Sequence, residues 1–134
     1  MKGQLTQRDI NLLEFCEQDL PISTDMAAIL FYPNRYIAQR RLGTIHQLKQ
    51  LKRSERLYVN QPYIYYLSKK NVKNLPFTKL LCDVVEAGFE IESYRFEEGL
   101  LQAVIRKGEN SYQINSTRAN MEQVYKRLEI KKAS

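Results

Sequence analysis

Three features of the 134-residue sequence predict an α+β protein in two parts. Up to residue 52, apolar side chains recur at helical spacing in three segments. A tyrosine-rich β-run closes this half. The remainder then reads as helix, three alternating strands and helix. A hydrophobic share of 43 % and a charged share of 27 % are near the globular average, so neither disorder nor a fibrous repeat is expected.

Thr6 followed by Asp9 marks the first helix start, the hydroxyl capping free amides and the acid facing the positive end of the dipole. Ile10, Leu13, Cys16 and Leu20, with Leu12 beside them, form the apolar stripe of a helix over 7–18, which Pro21 ends. Ser23-Thr24-Asp25 caps a short helix over 26–31. Tyr32-Pro33-Asn34 is a turn, because proline disfavours a helical residue before it and Asn caps the next helix. That third helix runs over 35–52, and Arg53-Ser54-Glu55-Arg56 breaks its pattern. Leu57-Tyr58-Val59 and Tyr63-Ile64-Tyr65-Tyr66-Leu67, separated by Asn60-Gln61-Pro62, read as a β-hairpin. Helix, short helix, longer basic helix and hairpin is the order of a winged helix-turn-helix, in which the third helix enters a DNA major groove and the hairpin lies along the backbone.

Residues 68–75 are the linker expected between a winged-helix domain over 5–70 and a second domain over 74–134. In that satellite, a helix over 76–87 buries Phe77, Leu80, Leu81, Val84 and Val85 and stops at Gly88. Strands over 89–96, 100–106 and 111–115 are joined by turns at Glu97-Glu98-Gly99 and Lys107-Gly108-Glu109-Asn110. Ser116-Thr117 caps a last helix over 118–129, with Met121, Val124, Tyr125 and Leu128 inward. The α-β-β-β-α satellite is expected to mediate association.

The net charge of +6 is unevenly spread. Residues 1–34 carry −3, 35–70 carry +8, 71–99 carry −3 and 100–134 carry +4. A basic block between acidic segments is a local field that attracts polyanions. On a helical wheel of the third helix, Ile37, Ala38, Leu42, Ile45 and Leu48 face the core. Tyr36, Gln39, Arg40, Gly43, Gln47 and Gln50 collect opposite them, and the helix holds no acid. Gln suits adenine edges and Arg suits guanine, while Gly admits a close backbone. Arg35, Lys49, Lys52, Arg53, Arg56, Lys69 and Lys70 are the expected phosphate contacts. Arg41 falls within the apolar arc, against the scheme, and His46 lies beside the polar face as a surface residue or a contact to DNA.

Several stretches resemble the plasmid replication-relaxation family of DNA-associated proteins: LTQRDINLLEFC, the short helix ending in ILFYPN, RYIAQRRLGTIHQLKQL and PYIYYLSKK. Weaker similarity continues through FTKLLCDVVEAGFEIESYRFE and YQINSTRANMEQVYKRLEI. The resemblance implies a winged-helix DNA binder of mobile elements, linked with plasmid replication, relaxation or transfer. The second half also looks like the core of a restriction-endonuclease-like fold. Such nucleases place an acid on the second strand and an acid with a lysine on the third to hold a metal. Here Gln102 stands near the first position, Tyr112-Gln113-Ile114-Asn115 offers no acid, and Glu97, Glu98 and Glu109 lie in turns.

The residues together predict a non-enzymatic, site-specific binder of double-stranded DNA, without cofactor or metal. It would act as a homodimer and as an accessory factor at an origin, with a replication or transfer protein as a further partner. A winged-helix transcriptional repressor stays open beside it, as does a protein-interaction winged helix that never touches DNA. One histidine and two distant cysteines leave no zinc spacing, and Cys16 and Cys82 read as buried thiols. With no apolar leader in MKGQLTQRD and no long apolar window, a cytoplasmic protein away from membranes is expected.

Overall fold

Helix α1 spans Gln7–Cys16 in the computed structural model, which describes residues 4–55 and 61–132. It begins in a capping box: the Asp9 amide donates to Thr6 Oγ1 at 3.2 Å, and the Thr6 amide donates to Asp9 Oδ2 at 2.8 Å. Its buried side carries Leu12, Phe15 and Cys16, together with Asp9 itself. Of the expected stripe, Leu12, Cys16 and Leu20 are buried, and two members are not. Ile10 is 38 % exposed, and Leu13 is half-buried. An acid that faces inward does not register in a count of apolar spacing, and here it turns the helix.

Leu20 and Pro21 lead into a two-residue strand, β1 (Ile22–Ser23), which the sequence does not announce. Ser23 then caps α2 (Thr24–Leu30), its Oγ accepting from the Met26 amide at 3.3 Å. Asn34 caps α3 (Arg35–Gln47) through a 2.9 Å bond from the Ile37 amide to its Oδ1. This helix is shorter than expected. Lys49 takes a left-handed φ of +62°, which ends it, so Leu48 is 37 % exposed and not inward.

Strands β2 (Lys52–Arg53) and β3 (Ile64–Tyr66) complete an antiparallel sheet of order β1-β3-β2. Ile22 pairs with Tyr65, Lys52 with Tyr66 and Arg53 with Tyr65. Arg53, expected to break the pattern, is thus a strand residue: an edge strand needs no apolar alternation when its partner supplies the buried Tyr65 and Tyr66. The expected strand over Leu57-Tyr58-Val59 lies outside the described residues. Residues 68–75, expected as a linker, instead contain a 3-10 helix, Lys69–Asn74, with Asn71 buried and the Asn74 side-chain amide donating to the Asp19 carbonyl at 2.9 Å. Those tertiary contacts hold the segment against the body that precedes it. The core around these elements is Leu12, Phe15, Leu20, Ile22, Leu42 and Ile45, all fully buried or nearly so.

The chain divides into two units, Met1–Leu75 and Pro76–Ser134. In the second, α4 (Leu75–Glu86) buries Phe77, Leu80, Leu81 and Val84, and Gly88 follows at φ +98°. The meander β4 (Glu90–Glu97), β5 (Leu100–Lys107) and β6 (Asn110–Ser116) runs antiparallel in sequence order. Glu98 and Gly99, at φ +52° and +77°, form the two-residue turn with two left-handed residues that matches strand twist. One sheet face buries Phe96, Leu101, Ala103, Ile105 and Ile114. Helix α5 starts at Met121 and ends at Leu128, later than the expected 118, because Thr117 and Asn120 bond each other's amides and hold 118–120 as a turn. Met121, Val124, Tyr125 and Leu128 are buried as expected. The Tyr125 hydroxyl donates to Asp83 Oδ2 at 2.6 Å, both groups lying inside. The whole is α+β, with five α-helices among the described residues. No helix among those residues is long and apolar enough to cross a membrane.

Candidate nucleic-acid interface

The position of α3 is set by a carboxylate with four donors. Asp9 is fully buried, and its Oδ1 accepts from the Tyr32 hydroxyl at 2.7 Å. Arg41 reaches it from α3, with Nη2 to Oδ2 at 2.5 Å and Nε to Oδ2 at 3.2 Å. Arg41 Nη2 also donates to the Gln4 carbonyl at 3.0 Å. Burial pushes the Asp9 carboxyl up, but the Arg41 guanidinium, the Thr6 amide and the Tyr32 hydroxyl outweigh it and hold the group below its usual value. Burial and the neighbouring carboxylate push the Tyr32 phenol up, so it stays a donor. Arg41, the residue that departs from the wheel, is therefore a clamp on the buried Asp9. The phase of the helix is as the wheel has it.

With Ala38, Leu42 and Ile45 buried and Arg41 turned inward, α3 leaves one face open. Tyr36 is 68 % exposed, and Gln39, Arg40 and Gln47 are exposed or partly so. Arg40 lies over the Tyr36 ring at 5.6 Å, a stack that aligns both side chains along the helix. Gly43 is half-buried beside them, yet a Cβ built there meets nothing within 4 Å outside its own helix. Packing within the chain does not require this glycine, although a glycine inside a helix costs about 1 kcal/mol relative to alanine. Gln50 is exposed but lies past the end of the helix.

The surrounding cations differ in their freedom. Arg35, at the start of α3, is paired with Asp25 of α2 through Nε to Oδ1 at 2.7 Å, both side chains well exposed. Lys49 and Lys52 are exposed. Arg53 stacks over the Tyr63 ring with its guanidinium carbon 4.0 Å from the centroid, and Tyr63 meets Tyr65 edge-on. Lys69 and Lys70 are exposed on the 3-10 helix. Arg56 lies outside the described residues.

One grouping is not evident from sequence. His46 near the end of α3 and Arg53, Ser54, Glu55 and Tyr63 line an open depression. His46 Nδ1 sits 2.9 Å from the Leu51 carbonyl, which fixes Nδ1 as the donor. Ser54 Oγ accepts from the Ile64 amide at 3.1 Å, leaving its own proton to donate. A sequence signal exists in His46 and Arg53 flanking a short turn, but only the β2–β3 pairing brings them together. Among the described residues no group of three His, Cys, Asp or Glu side chains is placed to hold a metal ion. No family model, no curated protein and no solved structure matches the chain.

Proposed function

We propose that the protein is a site-specific binder of double-stranded DNA built as a winged helix-turn-helix, with α3 in the major groove and the β2–β3 hairpin against the backbone. The observation that carries the reading is the open face of α3. It combines Tyr36, Gln39, Arg40 and Gln47, no acid, and a glycine whose missing side chain serves no contact within the chain. Solvent-facing helices more often carry Glu and Lys in i,i+4 pairs. The element order and the β1-β3-β2 sheet support the winged arrangement, in which β1 ties the hairpin to the helices.

Lys49, Lys52, Arg53, Lys69 and Lys70 serve the phosphates in this reading, with Arg35 once released from Asp25. The protein is non-enzymatic: Gln102 on β5 and the acid-free β6 stand where a nuclease core of this element order carries its metal-binding acids. The resemblance to the plasmid replication-relaxation family makes an accessory role in replication or conjugative transfer of a mobile element the favoured setting.

Selecting bound duplexes from randomised and genomic DNA tests the reading. The expected result is an enriched motif located at an origin of replication or transfer, whereas a promoter location would instead identify a repressor. Arg40→Ala and Gln47→Ala are each expected to cost about 1–3 kcal/mol on that motif and to relax preference at one or two positions. Unchanged affinity in both variants would remove α3 from the interface.

A further inference from the structure

We propose that the β6 edge of the second unit is a dimerisation surface, its partner the same strand of a second copy of this chain. The sheet has two edges, and they differ. β4 carries Glu90, Glu92, Arg95 and Glu97, and its pairing with β5 is interrupted by a bulge between Ile91 and Ser93. Charges and bulges are the devices that keep an edge from pairing with another chain. β6 has neither. From Asn110 to Ser116 it holds no charged residue and no proline, and its register against β5 runs without a shift.

The backbone of β6 shows how much of that edge is open. In an antiparallel ladder the amide and carbonyl of one residue point the same way, and the direction alternates along the strand. The carbonyls of Gln113 and Asn115 point away from β5, because Arg127 Nη2 reaches the first at 2.7 Å and Asn120 Nδ2 the second at 3.1 Å. Those two side chains close the half of the edge that leads to α5. By the alternation Ser111 shares the outward orientation. Among the described residues nothing bonds its amide, its carbonyl or the Gln113 amide.

A second copy fits this opening because the strand is complementary to itself. Two β6 strands running antiparallel about a two-fold axis at Tyr112 set Ser111 of each copy opposite Gln113 of the other. Each such pair exchanges two backbone bonds, and the Gln113 carbonyl accepts through the lone pair that Arg127 leaves. Tyr112 falls at the centre, where facing side chains approach most closely. Its ring is 42 % exposed despite an edge-on contact with Phe89 at 5.7 Å, and a second Tyr112 would cover it. No like charges meet along the uncharged strand, and the two sheets become one continuous antiparallel sheet. A ladder this short falls below the roughly 1,200 Å² of a standard interface, so the dimer exchanges with monomer. This holds whether or not α3 reads DNA.

Sedimentation velocity on the full chain without DNA tests the surface over about 10 μM to 1 mM, with a monomer–dimer equilibrium expected inside that range. Two double variants then address the register. Ser111→Glu with Gln113→Glu, and Ser111→Lys with Gln113→Lys, each set like charges opposite one another and are expected to weaken dimerisation at least about tenfold. Both positions are exposed, so an unchanged far-UV circular dichroism spectrum is expected. Mixing the two variants sets Glu opposite Lys and is expected to restore the dimer as a heterodimer. In the wild type, hydrogen exchange at the Ser111 and Gln113 amides is expected to slow as concentration rises.

A monomer at every concentration would overturn the proposal and leave the edge to another chain or to solvent. Dimers that persist in both variants, or a mixture that stays monomeric, would overturn it as well. So would a wild-type dimer in which those two amides exchange as fast as in the monomer.

Discussion

Gly43 is where stability and the proposed recognition of DNA pull apart. A methyl group at this position meets open space, so Gly43→Ala is expected to stabilise the fold by about 0.5–1 kcal/mol in urea unfolding. The same methyl would stand between α3 and a groove floor, so affinity for the selected site is expected to fall. A variant that is more stable and binds equally well would take Gly43 out of the interface. Asp9 and Arg41 behave in the opposite sense, because there the fold itself is at stake. Removing the cation leaves a carboxylate buried without its main partner, and Arg41→Met is expected to cost about 3 kcal/mol. The pH dependence has a definite sign. Asp9 ionises more readily in the folded chain than its ordinary value near 4, so its contribution is full above that value and is lost as pH falls through the lower folded value. Arg41→Met lifts the folded value, so the acid-side loss of urea midpoint is expected to shrink. An unchanged acid profile would remove Asp9 as its source. Cys16, its thiol pushed up to about 12 by burial and the nearby Glu17, is expected to resist thiol reagents until the protein unfolds. These residues also show what sequence can carry. The exposed face of α3 is legible there, because solvent-facing polarity and helical period are both local. Asp9 reads only as a dipole partner, because its inward role depends on Tyr32 and Arg41, which are distant in the chain and brought to it by the fold.

At the scale of elements, legibility tracks length. The second unit's three strands run for seven or eight residues with glycine turns between them, enough for period-two alternation and turn chemistry to speak together. The first unit's strands have two or three residues, and no alternation can be counted over two. Segment 68–75 misleads for a different reason. Its Lys and Asn content suits a solvated connection, and nothing local shows that Asn71 is buried or that Asn74 reaches Asp19. The edge strand β6 carries a further detail that only the fold reveals. The Gln113 carbonyl accepts from Arg127 at 2.7 Å and the Asn115 carbonyl from Asn120 at 3.1 Å, so two backbone acceptors are covered by side chains. Uncovered acceptors on an edge invite pairing with another chain. Combining Arg127→Ala with Asn120→Ala is therefore expected to cost about 1–2 kcal/mol and to raise self-association in light scattering. Monodisperse behaviour at unchanged stability would show that the edge needs no cover.

At the scale of the whole molecule, the net charge resolves into a place. Among the described residues, the cations of 35–70 are Arg35, Arg40 and Arg41 on α3, Lys49 just after it, Lys52 and Arg53 on β2, and Lys69 and Lys70 on the 3-10 helix, whereas the flanking sequence segments are acidic. If roughly 6–8 phosphates are neutralised, affinity is expected to fall by about three to four orders of magnitude between 50 and 200 mM salt. A flat salt response would point to a protein partner. A single helix reads few base pairs, so a two-fold symmetric motif with half-sites about 34–36 Å apart is expected if the protein acts as a dimer. An asymmetric motif of one half-site would indicate a monomer. Ser23 gives this arrangement a dynamic consequence. It ends β1, opposite Ile64 of the hairpin, and its side chain also starts α2. Hairpin and helix pair thus share one hinge residue and should open as a single cooperative unit, so the Met26 and Tyr65 amides would exchange with solvent deuterium at matching free energies. If the protein binds DNA as proposed, tension on the hairpin is expected to be felt as fraying of α2, the helix that packs against α3.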